Sequence, residues 1–252
     1  MPHTAGKRYA VVSCHVERLL DDECWRLLSA LQERRPGGLA VAALLRPPDE
    51  AAGEDEVEWV QRARVASARA PLGLHTHFVS ASRARPAEAD PQHAERVRRE
   101  GELMRAHGLE PRYFCGGGWY MDEDVAGVLA DLGCADCTGT AFRPAYLARG
   151  APRLDAREPV WLRLRDGRRL LELPATHSLG MAARAAAGTL PRYVHVYFHD
   201  TDLLSRSRRL ALSAALTALG RRCEPSDLDR VREAAADAPT VAFADAWRGS
   251  GA

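Results

Sequence analysis

Short apolar runs rich in β-branched and aromatic residues alternate along the chain with amphipathic stretches of helical period. Residues 8–15 (RYAVVSCH) are the first such run, read as a buried strand that ends in His15-Val16-Glu17. Asp21 or Asp22 then caps a helix in which Cys24, Leu27, Leu28 and Leu31 recur on one face, and Pro36-Gly37-Gly38 stops it. Residues 39–45 predict a second strand, 47–54 a Pro/Gly/acidic loop and 56–66 a helix. The third strand is residues 71–80 (PLGLHTHFVS), followed by a polar loop over 80–90 and a charged helix over 92–107 closed by Gly108.

Residues 111–115 predict a fourth strand that breaks into Gly116-Gly117-Gly118-Trp119. Asp122 opens a helix with Val125, Val128, Leu129 and Leu132 at helical spacing and Gly133 after the last turn. A short strand over 134–139 and a Pro/Arg/Gly loop over 142–159 precede a hairpin of 161–165 and 170–173 around Asp166-Gly167. Residues 192–199 (RYVHVYFH) predict a strong strand, and Thr201 or Asp202 starts a long helix to Leu219. Ser226 caps a last helix, and residues 240–244 form a closing strand. Strands alternating with helices imply βα units, hence an α/β fold with a mainly parallel sheet or barrel. At 252 residues the chain is read as one domain, 1–252.

Position then points to chemistry. His15, the pair His75 and His77, Cys115 with its glycines, and His199 all fall where a predicted strand runs into the next loop. In parallel βα barrels that rim is where sites are assembled, because each strand delivers its last side chain there. In an extended run His75 and His77 project to one side, roughly 6–7 Å apart along the strand, a spacing that suits one ion. A single His-x-His is more often a strand end with one packed and one exposed ring; several histidines at the rim shift the reading toward a metal. His195, inside its strand, reads as a hydrogen-bonded core residue, His177 as a loop residue, and His93 and His107 as solvated.

Composition removes other classes. Lys+Arg 35 against Asp+Glu 34 leaves no overall field to favour nucleic acid or an anionic membrane. No apolar run approaches the ~18–20 residues that span a bilayer, and residues 1–9 are polar without an apolar signal core, so a cytoplasmic protein is expected. Six cysteines in a chain of this length do not form a small-domain disulfide framework, and Cys134-Ala-Asp-Cys137, with no second pair, reads as small apolar packing.

The order of these motifs resembles the polysaccharide deacetylase family, the NodB-homology domain. Ser13-Cys14-His15-Val16-Glu17 stands where the family has an acidic motif, and Leu72-Gly73-Leu74-His75-Thr76-His77 where it has its histidine motif. Residues 113–119 with the helix after them are similar to the third motif, Leu171-Glu172-Leu173-Pro174 to the fourth, and Val196-Tyr197-Phe198-His199-Asp200 to the fifth. The resemblance, which runs from Arg8 to about Leu219, implies an irregular (β/α) barrel of about seven parallel strands. It also implies a divalent ion, usually zinc, held by one aspartate and two histidines. An aspartate then acts as base, and the late histidine protonates the leaving amine.

Carried onto this chain, His75 is a ligand and His199 the acid. Three departures stand out: Val79 occupies the usual place of the second histidine, so His77 substitutes; His15 replaces the strand-end aspartate; and Cys115 replaces an arginine. Either His15 joins His75 and His77 as ligands with Glu17 as base, the favoured arrangement, or Glu17 is the ligand and His15 the base. Cys115, Gly117, Trp119 and Tyr120 are the expected substrate contacts, the aromatic faces flooring a sugar pocket and the glycine letting a backbone amide approach an oxyanion. The implied activity is removal of an N-acyl group, acetyl above all, from an amino sugar or sugar-like small molecule. The alternatives are an inactive carbohydrate-binding protein on the same fold, or a hydrolase of another C–N bond such as a deformylase.

Overall fold

Aspartate is the recurring device that turns strand into helix. In a computed structural model, which describes residues 8–145, 147–185 and 188–248, Asp21, Asp55, Asp90, Asp122 and Asp227 each accept a backbone N–H at the start of a helix. The helices they open are α1 (Asp22–Arg34), α2 (Glu56–Ser67), α3 (Pro91–Ala106), α4 (Glu123–Asp131) and, late in the chain, α7 (Leu228–Ala234). Between these last two lie α5 (Leu179–Ala185) and α6 (Arg206–Arg222), and a short α8 (Phe243–Ala246) comes after them.

The strands are β1 (Tyr9–Val16), β2 (Val41–Leu45), β3 (Leu72–Thr76), β4 (Tyr113–Gly116), β5 (Ala135–Asp136), β6 (Arg153–Leu154), β7 (Val160–Arg163), β8 (Arg169–Glu172), β9 (His177–Ser178), β10 (Tyr193–His199), β11 (Glu224–Pro225), β12 (Thr240–Ala242) and β13 (Trp247–Arg248). The main sheet runs β12-β7-β8-β5-β4-β3-β2-β1-β10-β9, with β11 beside the start of β1. It is parallel except for the β7–β8 hairpin, as expected from the helix-linked strands. One continuous run holds both flanks: Glu172 of β8 pairs with Asp136 of β5, and a few residues on His177 of β9 pairs with Val196 of β10.

Several boundaries differ from the sequence reading. A 3-10 turn, Asp200–Leu204, comes after β10, so the long helix begins after Ser205, whose hydroxyl caps it, and not at Thr201 or Asp202. Asp227 takes the cap expected of Ser226. The closing strand stops at Ala242, because Phe243 enters α8, and it extends the sheet beside β7. Within the loop over 142–159, Arg153–Leu154 forms β6 and pairs with β13. The polar N-terminal residues 1–7 lie outside the described residues. No helix among the described residues is long and apolar enough to cross a membrane. All six cysteines are free and buried, in line with the reading of Cys134 and Cys137 as packing residues.

Alternation sorts the core into two. Val12, Cys14, Val41, Leu74, Phe114, Val196 and their outward neighbours pack under the helices, whereas Val11, Leu44, Tyr113, Cys115, Leu173 and Tyr197 pack on the opposite face. Gly73 belongs to the second face: a Cβ there would stand 2.3 Å from Leu44 Cδ2 and 2.6 Å from the Tyr113 carbonyl oxygen. Glycine is what lets β2, β3 and β4 close up beneath the histidines.

Asp136 and Glu172, Cα partners across β5 and β8, form a fully buried carboxyl pair. Thr138 N and Oγ1 donate to Asp136 Oδ1 and Gly139 N to Glu172 Oε1, while Asp136 Oδ2 and Glu172 Oε2 receive no donor. Burial pushes Glu172 well up, the charge of Asp136 adds to it, and burial raises Asp136 too, so one proton held between the two free oxygens satisfies both.

Gly73→Ala is expected to lower stability by about 1–3 kcal/mol through overpacking, read from the denaturation midpoint; an unchanged midpoint would mean the strands part without cost. For the carboxyl pair, folded values lie above the unfolded ones near 4, so its contribution is full below that pH and is lost as pH rises toward the raised values. Glu172→Gln keeps the oxygen that accepts from Gly139 and gives Asp136 a permanent donor. It should match wild type near pH 4 and gain on it as pH rises, by up to about 1.4 kcal/mol per pH unit, in denaturation series at stepped pH.

Candidate active site

Strand register decides which rim residues meet. His15 is level with His199 on β10 and with Leu44 on β2, and Leu44 is level with Gly73 on β3. Counting two residues on along both strands puts Glu17 at the height of His75, which is itself level with Cys115 on β4. Glu17 therefore lies one pleat nearer the mouth than His15, and His77 one pleat beyond His75.

The ring nitrogens of His75 and His77 are sorted by backbone carbonyls. His75 Nδ1 lies 2.8 Å from the Cys115 carbonyl oxygen and His77 Nδ1 2.8 Å from that of Ala81. A carbonyl only accepts, so each Nδ1 carries a hydrogen and each ring turns its Nε2 inward, a nitrogen that is bare whenever the ring is neutral. Both Nε2 atoms face Glu17 Oε1, at 3.2 Å from His77 and 3.8 Å from His75, and His199 Nε2 stands 3.7 Å from the same oxygen. Lone pairs of two rings against a carboxylate oxygen leave a gap that only a cation fills, a proton or a metal ion. Burial alone would raise the Glu17 carboxyl, yet with protons in that gap the hydrogen bonds of His75 and His77, together with the charge of His199, hold it well below the usual carboxylate range.

The expected trio of His15, His75 and His77 does not come together as one donor group. Glu17, His75 and His77 bring their ligand atoms within 4.8 Å of one another, and so, separately, do His15, His75 and Cys115. The physical reason is the pleat: His15 sits a level too deep to meet His77. Its ring stacks on His75 at 4.7 Å and on Tyr197 at 5.4 Å, and meets His199 edge-on at 5.1 Å. Burial, with His75 and His199 adding to it, holds the His15 imidazole neutral, well below its ordinary value. His199 is the more open of the two, its side chain 30% exposed at the mouth.

Of the expected substrate contacts, Trp119 lies beside the histidines, its indole 5.5 Å from His15 and 4.7 Å from Tyr197. Its backbone is left-handed at φ 61°, and its buried Nε1 has no acceptor. Tyr120 faces the other way: its ring packs on Phe78 and His93, and its hydroxyl donates to Asp122. The 3-10 turn Gly117–Trp119 reverses the chain between the two aromatics, which the plain order of residues does not reveal. Gly117 is a packing residue, where a Cβ would meet the Thr76 carbonyl oxygen at 2.7 Å and His77 at 3.0 Å. Cys115 is wholly buried beside His75 and offers no open surface to a substrate.

Other histidines fall into place. His195 is the core residue expected, with Nε2 2.8 Å from Ser13 Oγ and Nδ1 3.1 Å from the Leu173 carbonyl oxygen, and burial pushes it down to about 4. His177 belongs to β9 and not to a loop, and His93 is wedged against Phe78 and Tyr120 where solvent was expected. Sequence reasoning missed the supports of the histidine strand. Thr76, between the two rings, donates to Glu100 Oε2 at 2.6 Å, and Arg96 donates to Glu100 Oε1 at 2.8 Å and to the Phe78 carbonyl oxygen at 3.4 Å. In the sequence Glu100 is one acid on a charged helix; only its burial marks it.

No family model and no curated protein matches this sequence. Solved structures do. A 4-α-glucanotransferase from Thermococcus litoralis superposes with a TM-score of 0.61 at 9% identity, over 93% of this chain but 40% of that one. A GH57 branching enzyme from Thermococcus kodakaraensis gives 0.57 at 9% identity, over 93% and 72% of the two chains. A polysaccharide deacetylase from Bacillus cereus gives 0.50 at 12% identity, over 88% and 94%. At such identities the likeness is one of fold, and the fold is the α/β, NodB-like fold of the polysaccharide deacetylases.

Proposed function

We propose that the chain is a metal-dependent hydrolase that removes an N-acyl group, acetyl first, from an amino sugar or sugar-like small molecule. The observation that carries this reading is the tautomer-fixed pair of imidazoles, His75 and His77, aimed with His199 at one oxygen of Glu17. Glu17, His75 and His77 are the residues that would hold the ion, a carboxylate and two histidines. The chemistry a divalent ion, zinc in the first instance, supplies in such a set is Lewis acidity toward an acyl oxygen and activation of water near neutral pH.

The surrounding side chains supply the rest. His15, neutral and buried, is placed to take a proton, the role open to it once Glu17 is a ligand. His199, at the open side of the group, is placed to give one to a leaving amine. Trp119 and Tyr197, edge to face and buried, back the histidines with apolar rings. Double displacement at a glycosidic bond requires two working carboxyl groups about 5 Å or more apart. Here Asp200, close enough to feel the charge of Glu17, has its oxygens committed to the backbone N–H groups of Arg18 and Thr201, which leaves Glu17 alone.

Protein saturated with zinc, cobalt or manganese is expected to release acetate from members of an N-acetylated amino-sugar panel. His75→Ala should lose both the ion, by elemental analysis, and the activity. His199→Gln should keep the ion and lose roughly 10²–10⁴-fold in kcat. A metal-replete protein that releases acetate from none of the panel overturns the reading, and sugar binding without turnover would leave the binding-protein alternative in its place.

A further inference from the structure

We propose that His15, His75 and Cys115 form a second metal position, buried below the first and selective for thiophilic ions, that excludes an ion from the Glu17 set when filled. The ligand atoms of the three residues lie within 4.8 Å of one another, and the residues are 3%, 2% and 0% exposed. Two further observations point to a ligand. The His15 ring is buried yet has no hydrogen bond among the described residues, and its face lies over His75. The Cys115 thiol makes only weak contacts, 3.8 Å to the Gly116 carbonyl oxygen and one with the Thr138 hydroxyl, which is itself shared with Gly116 N and Asp136, so sulfur and ring both stay available to an ion.

Donor type sets the preference. Two imidazoles and a thiolate suit soft and borderline ions, whereas the set nearer the mouth carries a carboxylate. A cysteine thiol carries its proton near neutral pH, and only the thiolate is a ligand. Binding is therefore an exchange: the Cys115 S–H bond breaks, the sulfur electron pair forms the bond to the ion, and the proton leaves to solvent. Only an ion with high affinity for sulfur drives that exchange. Exclusivity comes from His75, whose Nδ1 donates to the carbonyl of Cys115 itself, leaving a single Nε2 for one ion or the other.

The test is cadmium titration of the metal-free full chain, read by thiolate-to-cadmium absorption in the ultraviolet and by proton release in weak buffer. It reads no turnover, so it fails or succeeds independently of acetate release. The wild type is expected to develop the band and release a proton with it. Cys115→Ser and His15→Gln, each checked for a native near-ultraviolet circular dichroism spectrum, should bind cadmium at least about tenfold more weakly and lose the band. His77→Ala should retain it, and zinc-loaded wild type should give up its zinc as the band grows. A folded wild type without the band, a band undiminished in Cys115→Ser and His15→Gln, a band lost in His77→Ala, or zinc retained beside cadmium would each overturn the proposal.

Discussion

Two backbone carbonyls, those of Cys115 and Ala81, hold the geometry of the mouth. Each takes the Nδ1–H of a histidine on β3 or just beyond it and so fixes which nitrogen faces inward. A carbonyl offers no alternative to accepting, so the tautomer is set by main chain and is indifferent to the side chains that supply it. The first carbonyl comes from the strand beside β3, the second from the loop that folds back over His77. A parallel sheet and one tight loop thus replace the carboxylate that often orients a ligating histidine from behind.

The loop needs its own anchorage, and the sequence around it is arranged accordingly. Phe78 N donates to the Ala84 carbonyl oxygen at 2.9 Å, and the turn between them closes at Ser80 and Arg83. The missing side chain of Gly117 lets Ala84 and His77 approach the end of β4, and Arg85 donates to the carbonyl oxygens of Gly118 and Pro152. From the outer side, Glu100 and Arg96 of α3 grip Thr76 and the Phe78 carbonyl on either side of His77. Rigid placement of His77 is therefore a property of one helix face and a loop, and the histidine motif by itself carries little of it.

Period and position are the features legible in the sequence. The alternation in 192–199 puts Tyr193, His195, Tyr197 and His199 on one face, and burial and ring contacts keep them there. Strand ends with histidines are legible as one rim because parallel strands deliver their last residues to the same edge. Register is not legible: whether His15 or Glu17 stands at the height of His75 depends on how β1 and β3 each pair with β2, which no local pattern encodes. The direction of Tyr120 is hidden for a related reason, since it is set by left-handed Gly118 and Trp119 inside a turn. Glu172, which reads as part of a family motif, instead spends its carboxyl on Asp136, a partner visible only once β5 and β8 are paired.

The departures from the family pattern are coupled through that same register. The resemblance places an aspartate at the end of the first strand and an arginine at 115 to orient it. With His15 at that place the deeper level has no strand-end anion, and an arginine at 115 would be a buried cation facing two imidazoles, its nearest acids the mutually engaged pair Asp136 and Glu172. A cysteine at that position is small, uncharged and still presents the carbonyl that His75 requires. The negative charge stands one pleat outward, at Glu17, where His75, His77 and His199 surround it and solvent still reaches it. His15 and Cys115 thus belong to one electrostatic layout, carboxylate up at Glu17 and imidazole down at His15, in which an uncharged residue at 115 is the one that fits.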